Sequence, residues 1–313
     1  MTKPIVRIAT RKSALALWQA NHIAALLQEL PEKPVTELVL IETSGDRNQT
    51  DPLQQFGGTG VFTREVQRAV LDERADVAVH SLKDLPTQLI EGLSLAAVPA
   101  RAPRCDSLLL PAGSVTVSEL SQLPARARIG TGSPRRKAQL LHLRSDLQVE
   151  EIRGNVDTRL RKLDEGQYDA ILLAEAGLTR LGLQNRISLK VQPPLFYPAV
   201  SQGALGLECR SSDQATSALL RQLTCESTYA EVSAERSLLR TLRAGCHAPL
   251  GVWTECSPGG LSLTGVLLSM DGASRITAFS EITEVNPETA ELLGITVANQ
   301  LLEAGAEQLL VHS

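Results

Sequence analysis

Arg128-Ile129-Gly130-Thr131-Gly132-Ser133-Pro134-Arg135-Arg136 reads as the end of an apolar strand, a turn of small residues and the start of a helix. Ile152-Arg153-Gly154-Asn155-Val156-Asp157-Thr158-Arg159 repeats that arrangement twenty-odd residues later. Small residues let backbone N–H groups at a helix start approach a ligand, and arginines add planar forks that match carboxylates at two points. A third such segment, Ala9-Thr10-Arg11-Lys12-Ser13, follows the strand-like run 5–9. Three turns of this kind suggest a ligand carrying several carboxylates or phosphates. The alternative is ordinary loop chemistry with solvated arginines.

Outward from these turns, strands and helices alternate. Residues 5–9, 38–41, 77–80 and 93–98 read as strands, and 14–30 and 63–74 as helices, with Ser13 as a cap for the first of them. The rhythm resumes after Pro99-Ala100-Arg101-Ala102-Pro103-Arg104 with strands at 108–110, 128–130, 147–152 and 171–174 and helices after Pro134 and around 156–163. That pattern implies an α/β sheet in each half. Pro193, Pro194 and Pro198 mark a second crossing, and two crossings suggest a hinged pair of domains with a ligand cleft. Beyond residue 206 the period changes. A helix over 229–242 precedes alternating runs at 250–255, 261–268 and 276–282, Met270-Asp271-Gly272-Ala273 supplies a hairpin turn, and 287–304 is an amphipathic helix. This predicts a small α+β domain built on three antiparallel strands.

The chain has 313 residues, 43% of them hydrophobic, so it is long enough for two or three domains with substantial cores. A net charge of -4 and 3% aromatic residues disfavour nucleic-acid binding. The five cysteines Cys105, Cys209, Cys225, Cys246 and Cys256 are widely spaced and odd in number, which argues against a disulfide scaffold or zinc ribbon. No histidine stands at a metal-ligand spacing, so no metal is expected. Without a signal-like start or a long apolar run, a cytoplasmic protein with no membrane span is expected.

Two further segments bear reactive groups. His80-Ser81-Leu82-Lys83-Asp84-Leu85-Pro86 puts an ammonium and a carboxylate after a buried strand, at the end where open α/β sheets bind ligands. Asp84 is the candidate acid/base or cation-stabilising group, and a turn or cap aspartate is the alternative. Cys246, in Leu242-Arg243-Ala244-Gly245-Cys246-His247-Ala248-Pro249, has a loop setting in which Arg243 or His247 favours thiolate. A packing role is its alternative. Gly130-Thr131-Gly132-Ser133 lacks the Gly-Lys-Ser/Thr ending of a phosphate loop, so nucleotide binding is a weak reading.

These motifs, with Val79 to Pro86, Pro198-Ala199-Val200-Ser201-Gln202-Gly203-Ala204 and Gly245-Cys246, closely resemble the hydroxymethylbilane synthases, or porphobilinogen deaminases, from Arg7 to the C-terminal helix. The resemblance implies two hinged periplasmic-binding-protein-like α/β domains, the first made of 1–99 and 200–221 and the second of 104–197, and a C-terminal α+β domain at 225–313. It implies a transferase that joins four porphobilinogen molecules head to tail, loses four ammonia and uses water to release linear hydroxymethylbilane, in porphyrin and heme biosynthesis. The cofactor would be a dipyrromethane held by thioether to Cys246, with Lys83, Asp84, Thr131, Ser133, Arg135, Arg136, Arg153, Gly154, Arg159 and Gln202 around it. Substrate would meet Arg11, Ser13, Phe62, Arg153, Arg159 and Arg180, and Asp84 would be catalytic. A monomer is the family expectation. Gln55 and Thr59 stand where many members carry lysine, and Gly132, Ser201 and Ala244 are milder departures. Two rivals explain less: a non-catalytic anion-binding protein leaves Cys246 without a task, and a cysteine-nucleophile transferase or hydrolase leaves the arginines without one.

Overall fold

The computed structural model describes residues 5–42, 63–245 and 248–310, which fall into two compact units. The first comprises Met1–Ala102 and Ala204–Tyr229, the second Pro103–Gly203 and Ala230–Ser313.

In the first unit, β1 (Ile5–Arg11), β2 (Val35–Ile41), β3 (Val77–Ser81), β4 (Leu93–Ala97) and a late strand, here β10 (Leu205–Arg210), make one sheet in the order β2-β1-β3-β10-β4. β1 is parallel to β2 and β3, and β10 runs antiparallel between β3 and β4. Helix α1 (Ala14–Glu29) buries Ala20, Ile23 and Leu27 against Val6, Ile8, Val77 and Val79, each large aliphatic contributing about 1.5–3 kcal/mol. On the opposite face, α2 (Arg64–Leu71) packs Val66, Ala69 and Val70 against Ala9, Ala78 and Ile41. Both faces of β3 are therefore covered, which is why it reads as an unbroken apolar run rather than an alternating one.

The second unit holds β5 (Asp106–Leu109), β6 (Arg128–Gly130), β7 (Gln148–Glu150), β8 (Ala170–Ala174) and β9 (Leu189–Val191) in the order β7-β6-β8-β5-β9. Its helices are α3 (Pro134–Leu143), α4 (Val156–Asp164) and α5 (Glu175–Arg180). Helix α6 (Gln214–Arg221) belongs to the first unit, and α7 (Glu226–Thr241) leads into a three-stranded antiparallel sheet of β11 (Leu250–Ser257), β12 (Gly260–Leu268) and β13 (Arg275–Ile282). Ala234 and Leu238 of α7 and Leu293, Val297 and Leu301 of α8 (Pro287–Glu303) cover it, and α9 (Ala306–Leu310) follows. This sheet groups with the second α/β sheet because Val266 and Leu268 pack on Ala138 and Tyr197.

The fold is thus mixed α/β with two five-stranded sheets and a small antiparallel one. Three details differ from the sequence reading. β5 begins two residues before the expected 108, at the buried pair Asp106 and Ser107. β9, three residues long, carries too little pattern to be read. β10 is not among the strands read from the pattern, although it lies in the 200–221 segment expected in the first domain; it inserts into a sheet whose other strands all precede residue 98.

Candidate functional site

In the first unit the expected residues gather at one edge of the sheet. β1 and β3 are parallel neighbours, with Ile8 opposite Val77, so their C-terminal ends carry Arg11 to Ser13 and Ser81 to Asp84 side by side. Ser13 is the cap of α1, its hydroxyl accepting from Ala16 N at 3.4 Å. Buried Gln19, from the next turn of α1, donates to Ser81 Oγ at 2.7 Å, and Leu82 N donates to Ala204 O at 3.0 Å. These bonds fix a single 3₁₀ turn, Leu82–Asp84, that ends on the candidate carboxylate. Asp84 is exposed and among the described residues makes no hydrogen bond or ion pair, so it caps nothing. Lys83 beside it is half-buried. Behind the turn, His80 Nε2 lies 2.9 Å from Glu208 Oε2, both side chains being buried, and Gln67 donates to the same oxygen at 2.8 Å. This ties β3 to β10 and α2 immediately upstream of Asp84.

The second unit assembles its arginines differently. Ser133 caps α3, accepting from Arg136 N, and the Thr131 hydroxyl accepts from Ser133 N at 3.2 Å. Arg135 and Arg136 are therefore first-turn residues, but they point inward. Arg135 Nη1 donates to Asp106 Oδ2 at 2.7 Å and to Tyr197 O at 2.6 Å. Arg136 donates to Asp106 Oδ1 through Nη2 at 2.7 Å and Nε at 3.0 Å, and to Leu172 O through Nη1. Gln202 Nε2 reaches the same Oδ1 at 2.9 Å and Arg104 O at 2.8 Å. Desolvation, the largest influence on Asp106, pushes its pKa up. The Arg135 and Arg136 charges outweigh it and hold the carboxyl well below the usual range.

Arg180 is buried too, donating to Gly203 O at 2.7 Å, and burial pulls its pKa down to about 10. Arg153 and Arg159 lie at the neighbouring turn, after β7, which pairs in parallel with β6. Arg153 pairs with Glu151 at 2.6 Å, Arg159 Nε donates to Gly154 O at 2.8 Å, and Asn155 caps α4. Gly154 has φ +108, and a Cβ there would lie 2.6 Å from Thr158 Cγ2, so this turn requires glycine.

The structure thus brings Arg135, Arg136 and Gln202 together, sets Arg180 on the turn beside Gln202, and keeps Arg153 with Arg159. Phe62, Gln55, Thr59 and Cys246 lie outside the described residues. The sequence reading missed Asp106, the hub of the cluster. The one signal for it was a charged residue directly before an apolar strand. Among the described residues no group of three or more His, Cys, Asp or Glu is placed to hold a metal, and no helix is long and apolar enough to cross a membrane.

Comparison with known proteins adds independent findings. A family profile described as "Porphobilinogen deaminase, dipyromethane cofactor binding domain" matches residues 6–218, and one described as "Porphobilinogen deaminase, C-terminal domain" matches 229–303. A porphobilinogen deaminase of Maridesulfovibrio salexigens is 44% identical over 306 residues, 97% of each chain. One of Syntrophobacter fumaroxidans is 41% identical over 310 residues, covering 99% of this chain and 98% of the relative. Among solved structures, the periplasmic VFT2 domain of Bordetella pertussis BvgS is similar at 15% identity and TM-score 0.44, over 75% of this chain and 93% of that one.

Proposed function

This chain belongs to the porphobilinogen deaminase family, and from that premise we propose how its own residues carry the family reaction. It is a transferase that condenses four porphobilinogen molecules in turn, with loss of four ammonia, and releases hydroxymethylbilane. Its 6–218 region is the dipyrromethane cofactor binding domain, and the cofactor, when bound, would supply the terminal pyrrole to which the first new ring is joined.

The residues on the page fit such a group. Every pyrrole in the chain bears acetate and propionate, and among the described residues Arg135 Nε is a buried donor without a partner, which an anionic ligand would satisfy. In this reading Cys246 holds the cofactor by thioether. Arg135, Arg136, Arg153, Arg159, Thr131, Ser133 and Gln202 hold its carboxylates in place directly or by orienting one another, and Arg11, Ser13, Phe62 and Arg180 receive the incoming substrate. Lys83 flanks the reacting ring. Asp84 is the catalytic carboxylate: departure of ammonia leaves positive charge on the incoming pyrrole, and attack on it by the terminal pyrrole of the chain places positive charge on that ring in turn. A fixed negative group facing that charge lowers both barriers. The observation that carries the assignment is Asp84 itself, exposed and without a partner among the described residues, on a turn that buried hydrogen bonds immobilise.

Three domains, 1–99 with 200–221, 104–197 and 225–313, a monomeric state and a cytoplasmic location complete the proposal. The intact mass of the purified chain tests its centre. The native protein is expected to exceed its sequence mass by two condensed porphobilinogen units, and Cys246→Ser to lose that excess. An active protein of bare sequence mass would overturn the covalent attachment, and an adduct on another cysteine would overturn the choice of Cys246.

A further inference from the structure

Two guanidinium groups and one carboxylate meet around Asp106, with side chains 5%, 7% and 0% exposed for Arg135, Arg136 and Asp106. Among the described residues neither arginine pairs with any other carboxylate, so the cluster keeps one positive charge in a region that solvates it poorly. The cluster also sits in the first turn of α3, where the helix dipole opposes cations. Buried ion clusters are seldom more stable than apolar replacements, so stability does not account for it. The donors do: both oxygens of Asp106 are occupied, by Arg135 on one side and by Arg136 and Gln202 on the other. Among the described residues Arg135 is left with Nε uncommitted.

We infer that Asp106 is the positioning residue of this arginine pair, cancelling one guanidinium charge and fixing both planes so that the pair receives a single ligand carboxylate. Without Asp106 the pair carries two buried positive charges with no fixed orientation, and like-charge repulsion drives the guanidinium groups apart. Gln202 acts with it, since its amide holds Oδ1 in the plane that Arg136 requires. The inference rests on the reading that Arg135 and Arg136 bind pyrrole carboxylates.

A charge-restoration cycle tests it. Asp106→Asn keeps the shape and leaves the cluster at two positive charges; Arg136→Gln leaves none; the double variant Asp106→Asn/Arg136→Gln returns to one. Each purified variant is assayed for dipyrromethane occupancy by intact mass and for kcat and KM with porphobilinogen. Asp106→Asn is expected to lose at least about tenfold in kcat/KM together with occupancy, the scale of one charge-assisted hydrogen bond. The double variant is expected to recover most of the occupancy, a rescue that a purely structural residue would not give. If Asp106→Asn does not fold while the double does, the charge argument stands. Wild-type behaviour of Asp106→Asn, a folded double variant no better than the single, or failure of both to fold would overturn it. Full occupancy and unchanged KM in Arg136→Gln alone would instead overturn the arginine reading beneath it.

Discussion

The Asp84 turn and the Asp106 cluster use the same kinds of group in opposite ways. At Asp84 the backbone and its neighbours are tied down, and the carboxylate has no partner among the described residues. At Asp106 the charges themselves are the ties, buried, with both carboxylate oxygens occupied. In the proposed roles, a group that answers charge appearing during reaction is left available, because any internal cation would compete with that charge. Groups proposed to hold a permanent anion are locked in advance, which would lower the ordering cost when the ligand arrives.

Asp106→Ala gives the largest expected effect on that contrast. Stripping one partner from a buried ion cluster costs about 3–5 kcal/mol, so chemical denaturation should show a loss of that size. A loss under about 1 kcal/mol would place the cluster among ordinary exposed pairs. Asp84→Asn should do the reverse: turnover falls by about 10²-fold or more, roughly 2.7 kcal/mol, with the unfolding midpoint unmoved. Turnover within a few-fold of wild type would make Asp84 a simple turn residue, and the two regions would no longer differ in kind.

Acid separates them next. Asp106 has a depressed pKa in the folded protein, so its contribution is fully present above its unfolded value of about 3.9 and is lost as pH falls through the folded one. Between pH 4 and 2, roughly the window below the unfolded carboxylate value, the melting temperature of wild type should fall more steeply than that of Asp106→Asn/Arg136→Gln. Parallel slopes would mean that other carboxylates carry the acid limb. The smallest effect concerns the turn that presents Gln202. Ser201 has φ +59 and a buried hydroxyl without a partner, so Ser201→Gly should stabilise by about 0.5–1 kcal/mol in urea unfolding. A loss instead would show that the Ser201 hydroxyl helps to support Gln202.

Much of this was legible in the chain, and the gaps have physical causes. Strands covered on both faces announced themselves as apolar runs, and Pro134 and the glycines marked the turns between strand and helix. Arg135 and Arg136 stood out because consecutive arginines after a small-residue turn are uncommon. Their partner did not, since Asp106 is 29 and 30 residues away and periodicity carries no information about which charges meet. Ser13 was read both as a cap and as a substrate contact; the cap is the role its hydrogen bond displays. Glu208 escaped notice for the same reason as Asp106. A carboxylate inside a buried strand contradicts the pattern around it, and only His80 and Gln67 explain it.

The position of β10 has a consequence for how the chain is made. It pairs with β3 and β4, strands more than a hundred residues earlier, and supplies Ala204 O to the turn that carries Asp84. During synthesis the first sheet therefore lacks its fourth strand while the whole of the second α/β sheet emerges. A nascent chain halted before residue 204 leaves β3 and β4 with open edges, a state prone to misassembly. Such long-range closure also slows folding, because the loop entropy is lost before the pairing is gained. The turn that bears Asp84 is thus expected to be among the last parts of the first unit to become ordered, because Ala204 and β10 must be made before it is tied down.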